Sequence, residues 1–182
     1  MTRLGMARLG AVLAGGQSSR FGSDKALALL HGRPLLDQAI AALSCQCDAV
    51  VVVGRSDAPV PVLADWPAPG MGPLAGLAAA LRHGAAHGFG EVLVCAVDSV
   101  GLGETLAAEL SPAPAYVASQ PVIGLWPVTA LATIEAILAG TGKHSLRALA
   151  EATCARPVQL VTNPANINTP ADLAALEHGH GL

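Results

Sequence analysis

Ala11–Lys25 reads AVLAGGQSSRFGSDK. It begins inside a short apolar run, Leu9–Leu13, and passes without a polar transition into Gly15 and Gly16. Small hydroxyl residues follow, then Arg20, Gly22 and the pair Asp24-Lys25. An apolar run of this length bounded by glycine is the pattern of a buried strand. Glycines at its exit let main-chain N–H groups approach an anion with no Cβ in the way, and they tolerate positive φ. Arg20 adds a planar fork of donors and Lys25 a mobile point charge. A glycine pair alone fits a plain tight turn better. Joined to two cations at one sheet edge, it points to a polyanion lying against the backbone, with a nucleoside triphosphate the leading candidate. A helix is expected to follow the loop, adding unpaired N–H groups and a positive dipole end.

Outward from this stretch, strands and helices alternate. Leu36, Ala39, Ile40 and Leu43 fall at the spacing of one helix face. Ala49–Val53 (AVVVV) is a continuous β-branched run, expected of a strand buried on both faces, and Val60–Ala64 is a shorter candidate. Leu74, Leu77, Ala78, Leu81 and Ala85 return to helical spacing. Val92–Val97 (VLVCAV) predicts a buried strand that ends directly in Asp98. Past Gly101 and Gly103 a short helix runs to about Leu110, and Tyr116–Ser119 and Val122–Trp126 predict a strand pair. Ala130, Leu131, Ile134, Ile137 and Leu138 stripe one helix, and Leu146, Leu149 and Ala150 another. Pro157–Val161 predicts the last strand. Thr169-Pro170-Ala171-Asp172 offers a capping Thr, a Pro at the first helical position and an acid in the first turn.

Such alternation predicts an α/β fold, a mostly parallel sheet covered on both faces, in one domain over residues 1–182. Ligands of these sheets bind beyond the carboxyl ends of the strands. The loop after Leu13 and Asp98 after Val97 are therefore expected at the same edge. A carboxylate ending an apolar strand is poorly placed for the core and well placed for a cation. Mg²⁺ suits it, since that ion takes one or two protein carboxylates and completes its shell with water and phosphate oxygens. A helix cap or loop turn is the plainer role for Asp98.

Composition narrows the classes. The 182 residues are 52% hydrophobic and 13% charged, enough apolar material for a substantial core. A net charge of −3 with ten dispersed Lys and Arg argues against a general nucleic-acid binder. Eighteen uninterrupted apolar residues occur nowhere, which argues against a membrane span. The opening MTRLGMARLGAVLAGG mimics a signal peptide, but its apolar run reads better as a first strand. Cys45, Cys47, Cys95 and Cys154 fit no metal-ligand spacing, so free thiols in a reducing cytoplasm are expected. GTGKHS fails as a phosphate-binding P-loop, with Ile137 where the first glycine belongs and His144 after Lys143. His83 and His87, four apart, read as a solvated helix face.

These blocks carry a resemblance. Leu13–Lys25 (LAGGQSSRFGSDK) resembles the nucleotide-binding signature LAGG-x-S-x-R-x-G-x-DK of the molybdenum cofactor guanylyltransferases. GRPLLDQAIAAL follows it as in that family, and GPLAG (Gly72–Gly76) looks like the second glycine motif. Asp98 stands where the metal aspartate belongs, and NINTPADL (Asn166–Leu173) resembles the closing N-x-N-T-P. The first motif is shared with many nucleotidyltransferases, whereas the set spans nearly the whole chain in the right order.

The resemblance implies a Rossmann-like three-layer αβα sandwich that transfers GMP from GTP to the phosphate of molybdenum-molybdopterin. Leu13, Ala14, Gly15 and Gly16 would line the guanine and ribose pocket, Lys25 would meet the phosphates, and Asp65 matches a nucleotide-contacting position. Arg20, Lys25 and Asp98 would be catalytic, with Mg²⁺ on Asp98. Asn166 and Asn168 are candidate pterin contacts, with a cap or turn contact the equal alternative. Transient contact with cofactor-donor or acceptor proteins belongs to the same picture. LAGG rather than LAAG, together with GPLAG, is the guanylyl rather than the cytidylyl form. Two departures stand out: AVDSVG (Ala96–Gly101) replaces PCD-x-P around Asp98, and Gly54 replaces a common nucleotide-contacting Asn. Competing readings are a CTP- or sugar-phosphate-using nucleotidyltransferase and a non-catalytic nucleotide-binding paralogue.

Overall fold

The computed structural model describes residues 6–16 and 24–179. In chain order the strands are β1 (Arg8–Leu13), β2 (Leu29–Leu30), β3 (Arg33–Pro34), β4 (Ala49–Val53), β5 (Val62–Leu63), β6 (Glu91–Ala96), β7 (Ser99–Val100), β8 (Ala115–Val117), β9 (Gln120–Pro127), β10 (Arg156–Val158) and β11 (Ala165–Asn166). The α-helices are α1 (Leu35–Ser44), α2 (Pro73–Ala86), α3 (Leu106–Leu110), α4 (Leu131–Ala139), α5 (Leu146–Ala152) and α6 (Pro170–His178). Seven strands form one sheet in the order β10-β8-β9-β6-β1-β4-β5. Only β9 runs antiparallel to its neighbours, β6 and β8.

The apolar runs occupy the sheet interior, where both faces must be covered. Val12, Val50, Val52, Leu93 and Cys95 point into a core shared with α1 and α3. The alternate residues Leu9, Ala11, Leu13, Val51, Val53, Val92 and Val94 point into a second core under α2, α4 and α5. Three layers result, helix on sheet on helix, as the resemblance implies. Leu35, Leu36, Ala39, Ile40 and Leu43 form the buried face of α1, which is the expected stripe extended by Leu35. Thr169 closes a capping box with Asp172 at the start of α6, again as expected.

Four local expectations are corrected. Among the described residues, the element that follows the first loop is a three-residue 3₁₀ turn, Lys25–Leu27, and the first α-helix begins at Leu35. A hairpin intervenes: His31 (φ 51°) and Gly32 (φ 73°) make a two-residue turn between β2 and β3. Strand β10 ends at Val158, because β8 offers only three pairing partners. Val161 is 93% exposed, and its N–H donates to Glu109 Oε2 at 3.1 Å. The Val60–Ala64 candidate contracts to β5, and Asp98 sits in the two-residue step between β6 and β7 rather than on the strand end itself.

Candidate active site

Strands β1, β4 and β6 end side by side, and their parallel ladders continue one residue further. Ala14 N–H donates to the Val53 carbonyl at 2.9 Å, Val97 N–H to Leu13 at 3.0 Å, and Gly54 N–H to Leu63 at 2.9 Å. These bonds set the floor of a cleft of about 1090 Å³. Leu13, Ala14, Gly15, Gly16, Lys25, Asp65 and Asp98 all line it, together with Gly54, Arg55 and the start of α2 at Gly72 and Pro73. Arg20 lies outside the described residues.

The sharpest contact joins residues 73 positions apart: Lys25 Nζ donates to Asp98 Oδ2 at 2.9 Å. Both side chains are largely buried, at 14% and 22% exposure, so neither charge is fully solvated. Topology makes the meeting possible, because β1 and β6 are hydrogen-bonded neighbours and their exits share one edge. The departing AVDSVG residues serve the fold. Val97 and Ser99 are buried, Ser99 Oγ donates to Gln120 Oε1 at 3.3 Å, and Val100 pairs with Ala165.

That last pairing brings the closing motif to the site. β11 runs antiparallel to β7 with Asn166 opposite Ser99, and Ile167 N–H donates to the Asp98 carbonyl at 3.0 Å. Ile167 is fully buried, which leaves Asn166 and Asn168 exposed on either side of it. Asp172 is held below the usual carboxylate range by the Asn168 and Thr169 backbone N–H groups, with a further contribution from the Lys25 charge.

Glycine backbone surrounds Asp65. A Cβ at Gly15 would lie 3.5 Å from its Oδ2, and one at Gly76 3.4 Å from its Oδ1. Among the described residues no hydrogen bond or ion pair engages this carboxylate, and burial raises its pKa. Its neighbour Trp66 is fixed by its N–H on the Ala75 carbonyl at 3.3 Å and by the Arg82 guanidinium 4.4 Å above its ring. Gly54 accounts for the missing Asn. Its φ is +85°, and a Cβ there would lie 2.5 Å from Gly15 Cα. No side chain fits without moving the first loop. The helix N-terminus expected after that loop is instead supplied by α2, whose Gly72 makes no side-chain cap and whose first residue is Pro73.

Reading the sequence missed Arg55 as a cleft residue, although its place just beyond β4 at the carboxyl edge was a usable signal. His83 and His87 lie on and at the end of α2 with their rings stacked at 4.0 Å.

A mostly parallel α/β sheet with a glycine-lined cleft at its carboxyl edge is an architecture that binds nucleotides, and comparison with known proteins places it in the nucleotidyltransferase class. Residues 10–158 match the model of the MobA-like NTP transferase domain. The crystal structure of molybdopterin-guanine dinucleotide biosynthesis protein A from Archaeoglobus fulgidus superposes with a TM-score of 0.67. It is 24% identical and covers 93% of this chain and 97% of its own, a likeness of fold. A molybdenum cofactor guanylyltransferase from Acidiphilium cryptum is 40% identical over 92% of this chain and 93% of its own length. One from Rhodobacter capsulatus is 37% identical over 92% and 94%. The chain belongs to the molybdenum cofactor guanylyltransferase family.

Proposed function

We propose that the chain transfers GMP from GTP to the terminal phosphate of molybdenum-molybdopterin, releasing pyrophosphate and giving the molybdopterin guanine dinucleotide cofactor. One observation carries this reading above the rest: Lys25 and Asp98 meet at 2.9 Å in the cleft floored by Gly15 and Gly54. A phosphate-binding cation and a metal-binding carboxylate thus share one chamber with the glycine loop.

Magnesium fits the donors present. Asp98 uses Oδ2 for Lys25, and among the described residues no hydrogen bond engages Oδ1. A single protein carboxylate suits an ion that keeps water and phosphate oxygens as its other ligands. When bound, Mg²⁺ neutralises phosphate charge. The chain's own residues align the reactants. Gly15 and Gly16 line the guanine and ribose pocket, the Lys25 ammonium holds the triphosphate, and Arg20 is the second cation assigned to it. Asn166 and Asn168, exposed beside Asp98, offer amides to the pterin edge. The acceptor phosphate oxygen attacks the α-phosphorus of GTP in line, its new P–O bond forming as the bond to pyrophosphate breaks. A phosphate monoester has a second pKa of about 6, so the nucleophile is already ionised near neutrality and no general base is needed. Catalysis rests on alignment and charge neutralisation. Work in the cytoplasm fits Cys45, Cys95 and Cys154, which form no disulfide.

Asp65 reads the base. Guanine presents N1–H and its 2-amino group side by side, a match for two acceptor oxygens that have no donor among the described residues. Hydrogen bonds to a charged group are worth ~1.5–3 kcal/mol, so Asp65→Asn is expected to lower kcat/KM for GTP about 10- to 100-fold. The same change relieves a folding cost. Because burial raises the Asp65 pKa, its contribution to stability is full at acid pH and is lost as pH rises through the folded value. The Tm of Asp65→Asn should therefore exceed that of the parent at pH 7, and the gap should close below the ordinary value of 3.8. A nucleotide panel with molybdenum-loaded molybdopterin, scored by pyrophosphate and dinucleotide product, tests both proteins. GTP turnover that Asp65→Asn specifically weakens supports the assignment; a parent that prefers CTP overturns it.

A further inference from the structure

Arg55 is assigned no part by the signature loop or the closing motif, yet its guanidinium lies in the cleft wall. It grips Asp24 as a fork, Nη1 at 2.9 Å from Oδ1 and Nη2 at 2.9 Å from Oδ2. Its Nε donates to the Asp57 carbonyl at 3.3 Å, which fixes the third edge of the group. The Asp24 carboxylate has a second task. It caps the Lys25–Leu27 turn, accepting the Ala26 N–H at 3.1 Å. Lys25, the first residue of that turn, reaches Asp98. A continuous line of contacts thus runs from the end of β4 through Arg55, Asp24 and the turn to Lys25 and Asp98.

We propose that Arg55 is a positioning residue, clamping the Asp24 carboxylate so that the capped turn delivers the Lys25 ammonium to the cleft at a fixed place. The local chain needs an external anchor. A three-residue 3₁₀ turn has too few hydrogen bonds to hold itself. The lysine stem has four rotatable carbons, so it does not place its own charge. Strand β4, paired on both sides, is the rigid body within reach. Arginine suits the task because its planar fork holds both carboxylate oxygens at once, which an ammonium cannot do. The pairing also keeps both partners charged, lowering the Asp24 pKa through the Arg55 hydrogen bond and raising that of Arg55 through Asp24.

The test uses the full chain and four variants: Arg55→Ala, Arg55→Lys, Asp24→Asn and the double Arg55→Ala/Asp24→Asn. Its kinetic arm rests on the guanylyl-transfer reading; amide hydrogen exchange at Ala26 and Ala28 does not. Misplacing a supporting group costs about 10- to 100-fold, so Arg55→Ala and Asp24→Asn should each lower kcat by at least about tenfold. KM for GTP should stay within about twofold, since Lys25 retains its charge. Arg55→Lys should recover only a minor part of the rate. The double variant should be no slower than the slower single one, and exchange in the turn should rise in Arg55→Ala, Asp24→Asn and the double variant, where the ion pair is gone altogether. Losses that multiply in the double variant, or full rescue by lysine, would mean that Arg55 acts on substrate through its own charge and overturn the clamp. Unchanged exchange in Arg55→Ala overturns it as well. A parent without GTP turnover removes the activity reading and leaves the exchange arm to decide the clamp.

Discussion

Asp98→Ala is expected to lower kcat for pyrophosphate release from GTP by about 10²–10³-fold, the usual cost of removing one well-placed charge stabiliser. The variant should stay folded. Asp98 stands in a two-residue step outside β6 and β7, and the neighbouring fold depends on its backbone carbonyl, which accepts from Ile167 and survives the substitution. What is lost is the carboxylate facing the cleft, and with it the proposed anchor for a metal ion. Single-turnover kinetics across a Mg²⁺ titration checks this, with circular dichroism as the control for folding. A soluble Asp98→Ala protein that keeps most of its Mg²⁺-dependent turnover removes the metal assignment.

Lys25→Ala should produce an equal loss of rate, about 10²–10³-fold, and a second effect of opposite sign. The ammonium occupies one Asp98 oxygen at 2.9 Å, so under the proposed assignment lysine and a metal ion would share the carboxylate and each would weaken the other's hold on it. Removing the lysine leaves a largely buried carboxylate without its counter-charge, a costly state that a cation relieves. Divalent-ion affinity without nucleotide should therefore rise while turnover falls. Isothermal titration with Mg²⁺ or Mn²⁺ beside the rate assay separates the two. Falling metal affinity together with falling rate would mean that Lys25 helps to organise the ion site rather than competing for it.

The fold was legible where the sequence is periodic. AVVVV and VLVCAV read as buried strands because both faces of an interior strand must be apolar, and the helix stripes at Leu36–Leu43 and Leu74–Leu81 mark the faces that cover them. The rule that ligands bind at strand carboxyl ends then brought Lys25 and Asp98 together across 73 residues. Short elements were not legible. The β2–β3 hairpin has two residues per strand, too few to show alternation, and its turn depends on His31 accepting a φ of 51°. Asp65 entered through family resemblance alone, since nothing in its own neighbourhood announces that three distant glycines converge on it. Arg55 escaped because its meaning lies in a partner 31 residues earlier, and local sequence does not encode that distance.

A crystal structure with a non-hydrolysable GTP analogue and Mg²⁺ tests the shared cleft most directly. The account predicts the base against Gly15, Gly54 and Asp65, the triphosphate at Lys25, and the ion on Asp98. A triphosphate bound elsewhere, or an ion held without Asp98, contradicts it.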